Sequence, residues 1–409
     1  MHGPAQNLPD AGSSAQVAEA VARERIQAVD LLRGLVIVLM VLDHVRDYFH
    51  VEAFMFDAVD PARSYPALFA TRWVTHLCAP VFVALAGVSA YLQLQVDKPV
   101  SYVRRHLWTR GLWLIFLELT VVSFGFSFGI PVPFLQVIWA IGWSMIALAV
   151  VVGLPVRPVL AIGLAIVLGH NLLNPIAPDS LGASAPAWQF LHEGGLITIG
   201  GKPAGLFAYP VLPWVGVLFV GFGTGRVFLL EAVKRQRLFL QAGAAMLAAF
   251  LILRAINGYG DPDPWRARGE NARTVMAFMD VEKYPPSLMY LLATLGVALL
   301  LTPVLERLPN WGRKFLLTYG QVPLFAYLVH LYIVHGLMML TAAVTRGDPT
   351  IAFNYIVTVF TNPKAFEGWG FGLPAIYAFW VLSLALLYPL CRWYGELKRR
   401  RRSWWMYYL

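Results

Sequence analysis

Charged residues are scarce in this chain of 409 residues. They make up 13% of the sequence, against 58% hydrophobic residues, whereas a soluble domain carries about 25% charged residues. The mean hydropathy of the chain is +0.61. Its apolar segments are evenly spread, so this high value does not come from one region. We therefore expect one integral-membrane domain, not the two or three soluble domains that the length alone would allow.

Cysteine is also rare, with Cys78 and Cys391 as the only two. They fall in different apolar segments, and their spacing predicts neither a disulfide framework nor a metal site. The first 25 residues lack the apolar core of a cleavable signal peptide, so we expect a disordered cytoplasmic tail there. No segment resembles a nucleic-acid motif, and we assign the net charge of +9 to cytoplasmic loops.

Ten segments are long and apolar enough to cross a bilayer, which takes about 20 mostly apolar residues. With the N-terminus inside, most of the 32 lysines and arginines fall on the cytoplasmic side. The sequence therefore predicts an all-α, polytopic bundle of about ten helices with both termini inside. We divide the chain into a tail (1–25), a membrane domain (26–395) and a basic tail (396–409) whose Trp404, Trp405, Tyr407 and Tyr408 lie among lipid headgroups. The predicted spans are 27–49, 72–95, 106–127, 133–153, 158–174, 206–229, 238–256, 286–304, 315–342 and 371–394.

The first predicted helix carries charges that lipid does not tolerate. Its uncharged stretch covers only nine residues, Gly34 to Leu42. To cross the membrane it must also take in Arg33 at one end and Asp43, His44, Arg46 and Asp47 at the other. An Arg or Asp at a helix centre costs about 2.5–3.5 kcal/mol on insertion unless it faces a cavity or the bundle interior. Snorkelling of both ends is the alternative, but four ionisable residues in five positions exceed what a helix end needs.

Arg33 and His44 lie on one stripe of this helix, because eleven residues make about three turns. His44 lies about 16 Å further along the axis than Arg33. Asp47 follows three residues later, within reach of the His44 imidazole. The spacing predicts a polar stripe that runs through much of the membrane.

Other predicted helices add candidate site residues. Glu118 lies mid-span in the third helix, where a carboxylate must be protonated or paired. His76 lies near the outer end of the second helix, and Tyr327 and His330 share a stripe of the ninth with Tyr319 and Pro323. For His330, a hydrogen bond to a neighbouring Tyr or carbonyl inside the core is the alternative.

The segment Lys283 to Ser287 opens the eighth predicted helix. Its two prolines suit the first turn of a helix. Backbone N–H groups at such a turn form a small positive site for an anion or a developing oxyanion. A rigid entry into the helix, without a ligand, is the alternative.

The segment from Arg25 to His44 resembles the opening of the heparan-alpha-glucosaminide N-acetyltransferase catalytic-domain family. The resemblance continues, over about residues 25–335, in Cys78–Gly87, Leu212–Gly216, Lys283–Ser287 and Gly320–His330. A more distant similarity concerns membrane acyltransferases that modify surface polysaccharides. These open with an Arg, ten residues and a His on the first helix, as Arg33 and His44 do.

The resemblance implies an acyltransferase of the bacterial inner membrane. It would move an acetyl or other acyl group from cytosolic acetyl-CoA to a hydroxyl or amine of a sugar-like acceptor on the periplasmic side. The number of copies that assemble is left open, a homodimer included. His44 is the expected general base, with His50 and His76 as alternatives, Asp43 or Asp47 as its carboxylate partner and Arg33 facing the donor. We expect donor or acceptor contacts from His50, His76, Glu118, Lys283, Tyr284, Ser287, Tyr327 and His330.

A proton-coupled transporter is the second hypothesis. Intramembrane Asp, Glu and His residues also make proton relays, and Glu118 would then matter more than His44. No internal repeat is visible in the sequence, which counts mildly against a transporter. A membrane scaffold without chemistry is a third hypothesis, and it predicts that loss of His44 and Asp43 is tolerated.

Overall fold

The computed structural model describes residues 11–53, 55–95, 98–129, 132–199, 202–401 and 406. The tail aromatics Trp404, Trp405, Tyr407 and Tyr408 lie outside these residues. The described part is built almost entirely of helices: α1 (Ala11–Phe49), α2 (Pro66–Thr75), α3 (Cys78–Leu94), α4 (Val100–Leu117), α5 (Ser123–Ser127), α6 (Val137–Val151), α7 (Val156–Gly169), α8 (Ala185–Trp188), α9 (Val211–Thr224), α10 (Ala232–Ile256), α11 (Asn271–Met279), α12 (Leu288–Glu306), α13 (Asn310–Gly320), α14 (Pro323–Arg346), α15 (Tyr355–Thr361) and α16 (Leu373–Arg400).

Eight helical stretches of the described residues are long and apolar enough to cross a membrane. The 15-residue α6 is apolar but shorter. Helix α1 is long enough to span a membrane, but it carries too many charged residues to be counted as a span by its composition. The all-α, integral-membrane class is thus confirmed, while the count of about ten spans and the N-in orientation stay predictions. The eight stretches are Pro66–Leu94, Val100–Ser127, Val156–Leu173, Val211–Leu229, Ala232–Ile256, Leu288–Glu306, Pro323–Arg346 and Leu373–Arg400.

Helix α1 lies at the centre of the bundle, packed against α3, α12, α13, α14 and α16. It begins at Ala11, inside the segment that the sequence predicts to be a tail. Two glycines bring α1 and α13 together backbone to backbone. A Cβ added to Gly320 would lie 1.8 Å from the carbonyl oxygen of Asp30, and one on Gly34 would lie 2.1 Å from that of Leu316. Such close approach is typical of helix pairs in membranes.

The ninth predicted span is two helices, so the expected continuous stripe from Tyr319 to His330 is wrong. α13 ends at Gly320 and α14 starts at Pro323, because proline has no N–H for the preceding turn and disfavours helical geometry before it. Tyr319 donates its hydroxyl hydrogen bond to the Leu384 carbonyl, away from Tyr327 and His330.

A small sheet of three strands accompanies the helices: β1 (Phe134–Leu135), β2 (Gly195–Ile199) and β3 (Lys202–Phe207), in the order β1-β3-β2. β1 runs parallel to β3, with Phe134 opposite Leu206, and β2 runs antiparallel to β3. The sheet fixes the chain just before α6, where Phe134 and Gln136 reach the site described next.

Candidate active site

Two cavities follow one another along α1. The first, called the His44 cavity, has a volume of about 200 Å³ and is lined by His44, Asp43, Asp47, Arg72 and Lys283 among others. The second, called the Arg33 cavity, has a volume of about 380 Å³ and is lined by Arg33. The two share a wall that consists of Phe82, Val137 and Tyr327.

His44 is paired with His330 of α14. Nδ1 of His44 lies 2.7 Å from Nε2 of His330, and the near-parallel rings have centroids 4.9 Å apart. Nδ1 of His330 lies 3.0 Å from the Ala326 carbonyl oxygen, so this nitrogen must donate. In neutral His330, Nε2 then accepts from Nδ1–H of His44. The pattern leaves Nε2 of His44 with its lone pair, as a general base requires.

Asp43 lies in a buried network that the sequence did not reveal. Nη1 of Arg72, from α2, donates to both Asp43 oxygens at 2.7 and 2.8 Å. Arg46 and Thr75 also donate to Oδ1 of Asp43, at 3.0 and 2.7 Å. A buried carboxylate needs such partners, since an unpaired charge away from water is very costly. Asp43 therefore anchors α2 to α1 and holds Arg72 in the wall of the His44 cavity.

Asp47 does not contact His44 as the spacing suggested. Its Oδ1 accepts from Nη2 of Arg46 at 2.5 Å, and 42% of its side-chain surface is exposed. Nδ1 of His44 turns to His330 instead. The expected carboxylate partner of His44 is thus replaced by a second imidazole from a distant helix.

His50 and His76, the alternative bases, are buried but line neither cavity. Nδ1 of His50 accepts from the Glu52 backbone N–H at 3.2 Å, and its Nε2 lies 3.3 Å from the Tyr65 hydroxyl. Burial and the nearby Arg46 guanidinium lower the pKa of His50 to about 4. The His76 ring packs edge-on against Tyr290, at 5.4 Å between centroids.

Glu118 caps α6 and lines neither cavity, so its expected substrate contact gains no support from the geometry and stays a prediction. One carboxylate oxygen accepts from the Gln136 backbone N–H at 3.2 Å and the other from the Trp139 N–H at 3.0 Å. Carboxyl oxygens stabilise a helix N-terminus, because the backbone N–H groups there otherwise lack partners. Glu118 looked anomalous in the sequence because the helix that it caps begins 19 residues further along the chain, so no local pattern shows the contact.

Of the segment that opens α12, Lys283 and Tyr284 line the His44 cavity but Ser287 does not. Ser287 is the N-cap: its Oγ accepts from the Tyr290 N–H at 3.0 Å and donates to Asp261 at 2.8 Å. The N–H group of Leu288 donates to the Asn171 side chain, and that of Met289 donates to the Gly260 carbonyl. These contacts occupy all three N–H groups of the first turn. None of them is left to bind a ligand, so the expected anion site is wrong.

Tyr327 lies in the wall between the cavities and lines both. It is 4% exposed, and its hydroxyl has no hydrogen-bond partner among the described residues. A buried hydroxyl without a partner is costly. A ligand oxygen that reaches this wall would therefore find an available donor.

The Arg33 cavity is basic. Three cations line it, Arg33 from α1, Arg110 from α4 and Lys398 from α16, and no carboxylate of the described residues does. Nη1 of Arg33 donates to Oδ1 of Asp30 at 3.3 Å, and its Nη2 donates to the Ser89 hydroxyl oxygen at 2.5 Å. Sequence analysis missed Arg110 and Lys398, because their helices meet α1 only in the folded chain. This donor set suits an anionic ligand such as a nucleotide phosphate.

The site thus combines a membrane helical bundle, a histidine pair of which His44 lines one cavity, and a neighbouring basic cavity. Residues 25–255, more than half of the chain, match the heparan-alpha-glucosaminide N-acetyltransferase, catalytic, family. The chain belongs to this family of membrane acetyltransferase domains, as its sequence indicated. No curated protein matches the chain.

Proposed function

We propose that this protein moves an acyl group, normally acetyl, from acyl-CoA in the Arg33 cavity to a hydroxyl or amine of a sugar-like acceptor in the His44 cavity. The observation that carries the proposal is the His44–His330 pair, which leaves a basic nitrogen beside a cavity that shares a wall with a phosphate-compatible one. The family supports the acetyl group.

Acyl-CoA fits the chemistry of the Arg33 cavity. Arg33, Arg110 and Lys398 would hold its phosphates, and the apolar wall of Leu114, Ile141 and Met145 would contact the pantetheine arm. The thioester would then reach the shared wall, where the Tyr327 hydroxyl donates to its carbonyl oxygen. Such a donor stabilises the negative charge that develops on this oxygen during acyl transfer.

The transfer is a single displacement at the thioester carbon. Nε2 of His44 takes the proton from the acceptor O–H or N–H as the acceptor atom bonds to the carbonyl carbon. The carbon–sulfur bond then breaks, and the proton passes from His44 to the departing CoA sulfur. His330 is a positioning residue: it fixes the His44 tautomer and stabilises the imidazolium.

With the N-terminus inside, as charge distribution predicts, the Arg33 cavity faces the cytosol and the His44 cavity faces the periplasm of a bacterial inner membrane. The donor and acceptor would then meet at the wall of Phe82, Val137 and Tyr327. The transporter hypothesis has no such support, because Glu118 is engaged as a helix cap.

The test is a transfer assay on purified protein with labelled acetyl-CoA and extracted envelope glycans. We expect wild-type protein to label the glycans and His44→Ala to lose about 10²–10⁴-fold of the rate, the usual share of a general base. Equal labelling by both proteins would refute the role of His44. Failure of the wild type to bind CoA would refute the class of reaction.

A further inference from the structure

We propose that the acceptor carries an anionic group, a carboxylate or phosphate, and that Lys283 binds it in the His44 cavity. This inference rests on the proposed function, since it names the class of acceptor for the same site. It is carried by the charge balance of the cavity.

The four other charged residues of the cavity region neutralise one another. Asp43 is bonded to Arg72 and Arg46, and Asp47 to Arg46. Two carboxylates thus face two guanidinium groups within one connected network. Lys283, which lines the same cavity, adds a positive charge that this network does not balance.

Lys283 is buried, with 7% of its surface exposed. Its ammonium lies over the Tyr284 ring, 4.9 Å from the centroid, and forms no ion pair with a carboxylate of the described residues. A buried ammonium costs free energy unless an anion pairs with it. A ring face only partly replaces that anion.

Two acids of the segment before α12, Glu282 and Asp261, are bonded elsewhere. Oε1 of Glu282 accepts from the Tyr284 backbone N–H at 2.7 Å. Oδ2 of Asp261 accepts from the Glu282 N–H and from the Ser287 hydroxyl, at 3.1 and 2.8 Å. These contacts hold Glu282 and Asp261 in the loop, and the Lys283 side chain lines the cavity.

The rest of the cavity suits a single sugar ring. Tyr209, Tyr284 and Phe126 supply aromatic surface, and a volume of about 200 Å³ limits the acceptor group to the size of one ring. His44 would face the reacting hydroxyl or amine while Lys283 binds the acid of the same or an adjoining ring. A sugar acid and a sugar phosphate meet this requirement equally.

The first test measures binding of glucose, glucuronate and glucose 6-phosphate by calorimetry on the purified full chain, without donor. Wild-type protein should bind at least one of the two anions about tenfold or more tightly than glucose, as expected for one charge-assisted contact. The Lys283→Gln variant should lose this preference, and Lys283→Arg should keep part of it. Lys364→Gln, which alters an exposed lysine between α15 and α16, is the matched control and should bind as wild type.

Equal binding of glucose and both anions by wild-type protein, or an unchanged preference in Lys283→Gln, would overturn the inference. The anion that wild-type protein binds more tightly, glucuronate or glucose 6-phosphate, identifies the group as a carboxylate or a phosphate. Transfer from acetyl-CoA is then measured separately. Lys283-dependent anion binding without any transfer would refute the proposed function alone, whereas equal transfer to neutral and anionic sugars would refute the anion site alone.

Discussion

Nδ1 of His44 and Nε2 of His330 lie 2.7 Å apart, although 286 positions separate the two residues in the chain. The contact joins α1 to α14 inside the membrane domain. It gives His44 a fixed tautomer without a carboxylate, because the Ala326 carbonyl fixes the proton of His330 in turn.

Removal of His330 should lower the acyl-transfer rate without abolishing acceptor binding. His330→Ala leaves His44 free to adopt the other tautomer, with its proton on Nε2, so kcat should fall while KM for the acceptor changes little. The double variant His44→Ala, His330→Ala should be no slower than His44→Ala alone, since the two residues act as one unit. Rate losses that simply multiply in the double variant would contradict this coupling.

Loss of the Asp43 carboxylate should destabilise the fold. Asp43→Asn leaves buried Arg72 without its charged partner, and breaking a buried pair in this way costs about 3–5 kcal/mol. Asp47→Asn is the matched control, because its carboxylate is 42% exposed and such pairs contribute about 0–1 kcal/mol. Thermal unfolding in detergent measures both, and a larger loss in Asp47→Asn would contradict the assigned network.

Glu118→Gln should keep acyl transfer. The amide oxygen can still accept one of the two α6 N–H groups, so only part of the cap is lost, and Glu118→Ala should cost about 0.5–2 kcal/mol of stability. A proton-coupled transporter would instead lose its flux in Glu118→Gln. Solute uptake into proteoliposomes that stops in this variant, with transfer absent from the wild type, would favour the transporter.

The loop before α12 should lose stability as the pH rises. Burial, reinforced by Asp57 and Asp261, raises the pKa of Asp280 from 3.8 to about 7, and burial also raises that of Glu282 from 4.5 to about 7. The folded state therefore holds protons that the unfolded chain releases. This contribution is complete below about pH 4 and is lost as the pH passes through about 7.

The melting temperature of wild-type protein between pH 5 and 8 measures this effect. Asp280→Asn and Glu282→Gln should each flatten the decline, because an amide does not titrate. Asp348→Asn, in an exposed position far along the chain, serves as the control. A decline of the same slope in all four proteins would assign the pH dependence to other groups.

Local patterns predicted the helices well, because hydropathy and turn residues are local properties. The same patterns put Arg33 and His44 on one stripe, and the structure places each of them in a cavity wall. The pairing of His44 with His330, that of Asp43 with Arg72 and the place of Lys398 beside Arg33 were not predictable, since no sequence spacing encodes how these helices pack. Asp47 was assigned to His44 by proximity along α1, and the adjacent Arg46 binds it instead.

Transfer across a membrane tests the central claim most directly. Proteoliposomes with uniformly oriented protein would hold an acceptor sugar inside, with labelled acetyl-CoA added only to the side that the Arg33 cavity faces. The account predicts labelled acceptor inside the vesicles with wild-type protein, and loss of that label with His44→Ala. Label that appears only on acceptor supplied from the donor side, or at equal rate with His44→Ala, would contradict it.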